Sequence, residues 1–347
     1  MVQHSKVLLT GASGFIAAHI LDILVKRGYQ VVATVRSSDK EQFIREKYPG
    51  KETQIQVFLV PDIQDDHAFD DAFLKNPDVS AVIHTASPFF QAKDDPENEL
   101  LLPAIKGTTN ILNAIKRHAP KVQHVVITSS FAALLDPTKQ RNHDAVFSEA
   151  TWNPITYEGG IADKAQSYRA SKKLAEKAFW DFIEKEKLFT GTTINPPSVF
   201  GPLIHKVNGP NAINTSSDII YTALRGEKPY PDTAVYNLWV DVRDVALAHV
   251  LAIEKDAAVG KRWFLAQSFF HPQTVLDSIN RSFPQLKGKI SVGTPYSQAK
   301  IEQDLLTYHQ FENSKTSEES GIKYIDFDTS IKDAVESFLK LEAQWSK

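Results

Sequence analysis

Cysteine is absent from the 347 residues of this chain. Disulfide bonds and metal sites built on thiolates are therefore excluded, and a reducing compartment fits this composition. The 11 histidines are scattered, and no His-Glu-x-x-His pattern occurs among them, so we expect no catalytic metal ion.

Long apolar runs and an excess of one charge are missing as well. No run approaches the roughly 18 residues that a membrane helix needs, and the first strand pattern begins by Val7, which leaves no room for a signal peptide. The formal net charge is −3 with the signs mixed along the chain, which argues against a nucleic acid or a membrane surface as the main partner. We expect a cytoplasmic protein that acts on a small molecule as a monomer or homodimer.

Two common catalytic signatures are also lacking. The glycine turn at 11–14 has no lysine of the kind that a nucleoside triphosphate loop requires. No Gly-x-Ser-x-Gly sequence marks the nucleophile of a serine hydrolase. Neither triphosphate hydrolysis nor serine-based hydrolysis is therefore expected.

What the chain does contain begins with a strand, a glycine turn and a helix. Residues 7–9 are apolar without helical spacing, which suits a strand buried on both faces. Gly11 permits a tight turn, Gly14 lets a pyrophosphate approach bare backbone, and Ala17 keeps the following helix close to the strand. The free N–H groups at the start of that helix would face the phosphates, so this order of elements predicts a dinucleotide site.

Strand-like and helix-like segments alternate through the first half of the chain. This alternation predicts an α/β fold with a Rossmann-type doubly wound parallel sheet. Strands are expected at 7–9, 31–35, 55–60, 81–85, 122–128, 191–194, 236–242 and 262–266. Later helices are expected at 100–118, 174–187, 216–225, 243–255, 274–283 and 331–345. We assign 1–195 to the nucleotide-binding domain, to which 236–266 returns, 196–235 and 267–330 to a smaller substrate lobe, and 331–347 to a C-terminal helix.

The end of the second strand bears on which dinucleotide binds. An acid there, about 20 residues past the glycines, would bind the ribose 2′-hydroxyl of NAD, but Arg36 occupies the place and Lys40 follows it. A cation suits a 2′-phosphate, and one charge-assisted hydrogen bond is worth about 1.5–3 kcal/mol. NADPH is therefore favoured over NADH, with a solvated basic pair as the alternative. Asp62, after strand three, could meet the adenine amino group or serve as a turn acid.

Tyr168 and Lys172 lie four residues apart, which places them on one face of a helix. A phenol with a pKa of about 10 is a poor proton donor. An ammonium about 4 Å away would favour the phenolate by roughly 4 kcal/mol at an effective dielectric of about 20, which is roughly three pKa units. This predicts a Tyr168 pKa low enough for general acid catalysis, with a surface pair on an ordinary helix as the alternative.

Two serines end strand five. Ser129 and Ser130 should emerge at the carboxyl edge of the sheet, where the ligands of doubly wound folds bind. A serine hydroxyl there can hold a substrate carbonyl while a nearby phenol protonates it. Because side chains alternate along a strand, only one of the two serines should face the site.

Six motifs, in chain order, carry a resemblance to a known family. They are Thr10-Gly-Ala-Ser-Gly-Phe-Ile-Ala17, His84-Thr-Ala86, Thr128-Ser-Ser130, Tyr168-Arg-Ala-Ser-Lys172, Pro196-Pro-Ser-Val-Phe-Gly-Pro202 and Trp239-Val-Asp-Val-Arg-Asp-Val-Ala246. Through nearly its whole length the chain resembles the extended short-chain dehydrogenase/reductases. Among them it is most similar to the yeast NADPH-dependent aldehyde and ketone reductases (methylglyoxal or 3-methylbutanal reductases), relatives of plant dihydroflavonol reductase.

The resemblance implies roles for individual residues. It makes Ser130 the serine that holds the carbonyl, Tyr168 the acid and Lys172 the group that binds the nicotinamide ribose. It also implies cofactor contacts at Gly11, Ala12, Ser13, Gly14, Phe15, Ile16, Arg36, Lys40, Asp62, Ile63, Tyr168, Lys172, Val199 and Ser216. Ser198 stands where a large aromatic residue is often found, which leaves the substrate range open.

The substrate pocket should be lined by loops after strands four, five and six. This nominates Phe89, Phe90, Phe131 and Ser198. The phenylalanines favour an apolar carbonyl compound over a sugar nucleotide, although each is equally well explained as an ordinary core aromatic.

Taken together, these features predict an NADPH-dependent carbonyl reductase that converts aldehydes and ketones, including α-dicarbonyls and keto esters, to alcohols. One alternative keeps the fold and changes the reaction, as in a sugar-nucleotide epimerase or a hydroxysteroid dehydrogenase/isomerase. The other is a non-catalytic NADP-binding sensor, which would not need Ser130, Tyr168 and Lys172 together.

Overall fold

The first strand of the chain lies in the interior of the molecule, of which the computed structural model describes residues 5–87, 94–226 and 236–345. Val7, Leu8 and Leu9 are fully buried. Val7 and Leu9 contact one hydrophobic cluster and Leu8 contacts another on the opposite side. The strand is therefore buried on both faces, as its apolar run predicts.

Strands occur throughout the described residues. In chain order they are β1 (Lys6–Thr10), β2 (Gln30–Val35), β3 (Ile55–Leu59), β4 (Ala81–His84), β5 (His124–Thr128), β6 (Val146–Ser148), β7 (Thr190–Asn195), β8 (Ser198–Phe200), β9 (Asn237–Asp241), β10 (Lys261–Phe264), β11 (Ser268–Phe270) and β12 (Gln310–Glu312).

Helices connect most of these strands. In chain order they are α1 (Phe15–Lys26), α2 (Ser38–Lys47), α3 (Asp70–Leu74), α4 (Leu102–His118), α5 (Tyr157–Ala162), α6 (Lys164–Glu186), α7 (Thr215–Arg225), α8 (Val242–Glu254), α9 (Pro272–Ser282), α10 (Gln298–Leu305), α11 (Ser314–Ser320) and α12 (Phe327–Trp345).

Seven strands form one parallel sheet in the order β10-β7-β5-β4-β1-β2-β3. The chain first builds outward from β1 through β2 and β3, and then restarts on the other side of β1 with β4. At such a switch point the connections leave in opposite directions and open a crevice at the carboxyl ends of the strands, where ligands bind. On one face of the sheet α1 packs against α8, and on the other α4 packs against α6. The predicted doubly wound fold is confirmed.

A smaller lobe is built on a second sheet, with the strand order β11-β9-β8. Trp239 of β9 and Phe200 of β8 are fully buried and stack at 6.0 Å between ring centroids. They lie in one apolar cluster with residues of α7, α9 and α12. The lobe therefore has a core of its own beside the nucleotide half.

The sequence predicted that 236–266 returns to the nucleotide half as one segment, but only its later part does so. Its strand β9 pairs with β8 and β11 of the smaller sheet, whereas α8 packs on α1 and β10 joins the edge of the large sheet. The return begins after the strand because β9 completes the smaller sheet. The other domain boundaries stay a prediction.

Most predicted elements begin and end within two or three residues of the expected positions, with helix starts less closely matched. The expected helix 100–118 begins at Leu102, after a π-helical turn at Glu97–Leu101. The helix that carries Tyr168 begins at Lys164, because the Asp163 side chain accepts the N–H of Ala165 at 2.9 Å and caps its first turn. The three-residue strands of the lobe were not predicted, since so short a segment carries no readable period.

Candidate active site

The turn between β1 and α1 has the geometry that an anion site requires. Gly11 has a φ of 64°, in the left-handed region, and a Cβ at this position would lie 3.2 Å from the Cα of Ala86. The Gly14 N–H donates to the Gly11 carbonyl at 2.9 Å, and Gly14 is the N-cap of α1 without a side chain in front of it. The first N–H groups of α1 are therefore left to a ligand.

A cavity of about 1220 Å³ runs past this turn along the carboxyl edge of the sheet. It is lined by thirteen of the residues that the sequence assigned to cofactor contacts: Gly11, Ser13, Gly14, Phe15, Ile16, Arg36, Lys40, Asp62, Ile63, Tyr168, Lys172, Val199 and Ser216. Ala12 is the exception. Its side chain is buried and its N–H donates to the carbonyl of Thr34 on β2 at 2.9 Å, so it fixes the turn rather than lining the cavity.

One end of the cavity is basic. Arg36 follows β2 and Lys40 lies in the first turn of α2, and both line the cavity. Between them Asp39 accepts a hydrogen bond from Ser37, which holds the pKa of this exposed carboxyl below its usual value. Lys206, from the segment after β8, lies 3.9 Å from Asp39 and lines the same end.

Asp62 is a turn acid that also lines the cavity. Its carboxylate accepts the N–H of Gln64 at 2.8 Å, the contact of a turn acid. The residue also lines the cavity after β3. Its contact with an adenine amino group stays a prediction.

The other end of the cavity brings together three residues that are distant in the sequence. Tyr168 and Lys172 lie one turn apart on α6, and Ser130 follows the end of β5. The phenol of Tyr168 and the hydroxyl of Ser130 share a hydrogen bond. The ammonium of Lys172 donates to the carbonyl of Thr128, the last residue of β5, at 2.9 Å. The Ser130 Oγ also accepts the N–H of Ala132 at 3.1 Å, which fixes its rotamer.

The electrostatic expectation for Tyr168 is wrong in direction. Burial raises the pKa of Tyr168 to about 12, and the hydrogen bond from Ser130 opposes this only in part. Burial also lowers the pKa of Lys172 to about 8, against the attraction of Glu176. The loss of hydration of the phenolate therefore outweighs any stabilisation of it by the ammonium, because both groups leave water on folding.

The loop after β4 is fixed beside this site by Thr10 of β1. The Thr10 Oγ1 lies 2.9 Å from the Nδ1 of His84, and it accepts the N–H groups of Thr85 and Ala86 at 3.1 Å each. Burial lowers the pKa of His84 to about 3, so the imidazole is neutral. His84 is therefore a packed, hydrogen-bonded residue.

Phe131 and Ser198, both assigned to the substrate pocket, line the cavity. Phe131 stacks on Phe264 with 5.0 Å between ring centroids and an interplanar angle of 8°. It is therefore both a core aromatic and part of the cavity wall. Phe89 and Phe90 lie outside the described residues.

Several lining residues were missed by the sequence analysis. They are Leu135, Gln140, His205, Lys206, Asn237, Leu238 and His309. Folding brings them in from segments without a motif, and no local signal in the sequence marks them. Glu176, which is buried behind Lys172 and does not line this cavity, was missed for a different reason: its i+4 spacing from Lys172 was readable, but a glutamate at that position normally faces solvent.

No helix among the described residues is long and apolar enough to cross a bilayer. Over the same ranges, no three His, Cys, Asp or Glu side chains are grouped so that they could hold a metal ion.

Comparison with known proteins gives matches along most of the chain. Residues 7–266 match the model of the NAD dependent epimerase/dehydratase family. The ketoreductase azaE of Aspergillus niger is 40% identical over 342 residues, which cover 96% of this chain and 98% of that protein.

Two solved structures of reductases resemble the whole chain. One is yeast methylglyoxal/isovaleraldehyde reductase Gre2 complexed with NADPH, with a TM-score of 0.90, 37% identity, and coverage of 98% of this chain and 99% of that one. The other is Gre2 of Candida albicans in complex with NADPH, with a TM-score of 0.88, 36% identity, and coverage of 96% and 98%.

Proposed function

This chain belongs to the NAD dependent epimerase/dehydratase family, and we propose that within it the chain acts as an NADPH-dependent reductase of aldehydes and ketones. Relatives of similar length are named methylglyoxal reductase and ketoreductase. The observation that carries the proposal is the hydrogen-bonded pair of Ser130 and Tyr168, with Lys172 one turn away, in the same cavity as the glycine turn.

The residues of the cavity fit NADPH. The Gly11 turn leaves room that a Cβ would fill, and the start of α1 offers free N–H groups for the pyrophosphate. Arg36 and Lys40 would hold the 2′-phosphate, and Lys172 the nicotinamide ribose. The volume of the cavity is larger than that of a typical small-ligand site, which is about 300–1,000 Å³. It therefore has space for a dinucleotide and a small carbonyl compound together.

When bound, the reduced nicotinamide supplies a hydride to the carbonyl carbon. The Ser130 hydroxyl donates a hydrogen bond to the carbonyl oxygen and stabilises the negative charge that develops there. Tyr168 gives its proton to that oxygen. With a pKa of about 12 the phenol is fully protonated at neutral pH, and it is still far more acidic than the alcohol it produces. The Lys172 ammonium stabilises the resulting phenolate.

The lining near Ser130 favours compact, partly apolar carbonyl compounds such as α-dicarbonyls, keto esters and aliphatic or aryl carbonyls. Phe131, Leu135 and Leu238 contribute apolar surface to it, and Gln140, Asn237 and His309 contribute polar groups. A few polar groups on an apolar wall orient a small substrate.

An assay of net NADPH oxidation against a panel of carbonyl compounds tests the proposal. A reductase consumes the absorbance of the reduced nicotinamide in proportion to the alcohol formed. An epimerase, the reaction that the family description makes the main alternative, returns its hydride and shows no net loss. A sensor binds NADPH and turns nothing over. Binding of NADPH without oxidation by any member of the panel would contradict the proposal.

The cytoplasmic location and the choice between monomer and homodimer stay predictions. Light scattering on the purified chain distinguishes the two assembly states.

A further inference from the structure

A buried carboxylate lies directly behind the three residues of the proposed site. Glu176 is on α6, one turn after Lys172 and two turns after Tyr168, and it is fully buried. Its oxygens accept hydrogen bonds from the Nε of Arg262 (2.5 Å), the Nδ2 of Asn195 (2.7 Å), the Oγ1 of Thr193 (3.2 Å), the Nε1 of Trp180 (3.4 Å) and the hydroxyl of Ser129.

These contacts reach the site through two short paths. The Nδ2 of Asn195 donates both to Glu176 and, at 3.2 Å, to the carbonyl of Ser130. The hydroxyl of Ser129 is bound to the same carboxylate. The end of β5, from which the Ser130 hydroxyl points into the cavity, is therefore fixed from behind by one side chain.

The second path is electrostatic. Lys172 is buried, and burial lowers the pKa of its ammonium group. The carboxylate of Glu176 raises that pKa and so opposes the loss of the Lys172 proton. The other ionisable groups that face Lys172 are Tyr168 on the same helix and His84 on β4, and His84 is neutral. Arg262 faces Glu176 from β10 and partly offsets its charge.

We propose that Glu176 is a positioning residue of the reductase site, which holds Ser130 in place through Asn195 and keeps Lys172 in its ammonium form. This inference rests on the proposed function for its kinetic consequence. A purely structural purpose explains the arrangement poorly, because a buried ion pair is often no more stabilising than apolar side chains of the same volume.

The test compares Glu176→Gln, Arg262→Gln and the double variant carrying both changes. Glutamine keeps the shape of Glu176 and removes its charge. In the wild type we expect kcat/KM to fall on the alkaline side near pH 8, because the pKa of Lys172 is about 8. In Glu176→Gln this high-pH limb should move down by about one pH unit. In Arg262→Gln the carboxylate is no longer offset, so the limb should move in the opposite direction.

The double variant separates positioning from folding. Glu176→Gln alone leaves the Arg262 charge buried without its partner, which lowers the melting temperature. The double variant removes both charges, and we expect it to melt closer to the wild type while it keeps the lowered limb. Glu186→Gln is a matched control, because Glu186 ends the same helix and pairs with Lys116 at the surface; its limb should equal that of the wild type.

NADPH affinity, followed by cofactor fluorescence across the same pH range, gives a readout that needs no turnover. Lys172 would hold the nicotinamide ribose in its ammonium form, so the affinity for NADPH should fall as the pH is raised. In Glu176→Gln this fall should begin at a lower pH than in the wild type. Identical limbs in all variants, or limbs that move in the same direction in Glu176→Gln and Arg262→Gln, would overturn the role of Glu176. A wild type that binds NADPH with the expected limb but reduces no carbonyl compound would instead overturn the proposed function alone.

Discussion

The hydroxyls of Ser129 and Ser130, neighbours in the chain, point to opposite sides of the end of β5. Ser129 donates to the buried carboxylate of Glu176, whereas Ser130 shares a hydrogen bond with the phenol of Tyr168. The alternation of side chains along an extended backbone separates them. The Ser129 hydroxyl therefore supports the site from behind, and the Ser130 hydroxyl faces the reacting groups.

This separation predicts unequal effects of the same substitution. Ser130→Ala removes the donor to the carbonyl oxygen, and we expect a loss of about 10²–10³-fold in kcat, the usual effect of deleting one such donor. Ser129→Ala removes a hydrogen bond behind the site and should cost far less. Steady-state kinetics of the two variants side by side provides the measurement. A larger loss in Ser129→Ala would mean that the roles of the two serines are reversed.

Tyr168→Phe tests the proton donor. The change removes one oxygen from the cavity wall, so NADPH should still bind with nearly wild-type affinity. We expect kcat to fall by about 10²–10⁴-fold, the range attributed to one general acid. The measurements are turnover and cofactor fluorescence on the same preparation.

Tyr157→Phe is the matched control for this variant. Tyr157 lies on α5 and donates to Glu97 at 2.6 Å, away from the cavity. Its loss should leave kcat near the wild type. Full activity in Tyr168→Phe would contradict the proposed mechanism.

Arg36→Asp tests the basic end of the cavity. The new carboxylate repels a 2′-phosphate and accepts hydrogen bonds from a 2′-hydroxyl, so the preference for NADPH over NADH should narrow or reverse. One charge-assisted bond of about 1.5–3 kcal/mol corresponds to roughly 10- to 150-fold in relative affinity. The ratio of kcat/KM for the two cofactors is the quantity to measure.

Arg45→Asp introduces the same change of charge on α2 without touching the cavity, since Arg45 pairs with Glu41 on the surface. Its cofactor ratio should equal that of the wild type. An unchanged ratio in Arg36→Asp would remove Arg36 from the 2′-phosphate site, and Lys40 and Lys206 would then be the remaining cations there.

The features that could be predicted correctly from the sequence are those that depend on residues close together in the chain. The strand at 7–9, the turn at Gly11 and the pair Tyr168 and Lys172 each depend on spacing within a few residues, and the structure has all of them. That Ser130 emerges at the ligand edge of the sheet follows from a general rule, because the carboxyl ends of parallel strands share one edge. That it meets Tyr168 of α6 there was implied by the family resemblance.

What the sequence could not provide depends on distant contacts. Lys206 reaches the cavity from the segment after β8, and His309 reaches it by packing on Phe131 and Phe147. The pKa of Tyr168 was wrong in direction because burial, which no spacing reveals, exceeds the effect of a neighbouring charge. The pairing of β9 with β8 and β11 could not be predicted for a similar reason, since the apolar pattern of a strand does not identify its partners.

The contact between α5 and α6 yields a last prediction, on stability. Gly160 of α5 packs so closely on α6 that a Cβ at this position would lie 2.3 Å from the Cβ of Ala170. A methyl side chain cannot move aside, so Gly160→Ala must push the helices apart. Overpacking of this kind costs about 1–3 kcal/mol, and the melting temperature should fall by several degrees. Ala170 lies between Tyr168 and Lys172 on α6, so kcat should fall as well.

Gly159→Ala provides the comparison within the same helix. A Cβ there would have its nearest contact at 3.4 Å, with the Oγ1 of Thr156, which is an ordinary distance. Alanine is favoured over glycine inside a helix by about 0.5–1 kcal/mol, so this variant should melt at or above the wild-type temperature. If both variants melted alike, the close approach of α5 to α6 would not be what constrains Gly160. A lower melting temperature in Gly160→Ala alone, together with a lower kcat, would show that this helix contact helps to hold Tyr168 in position.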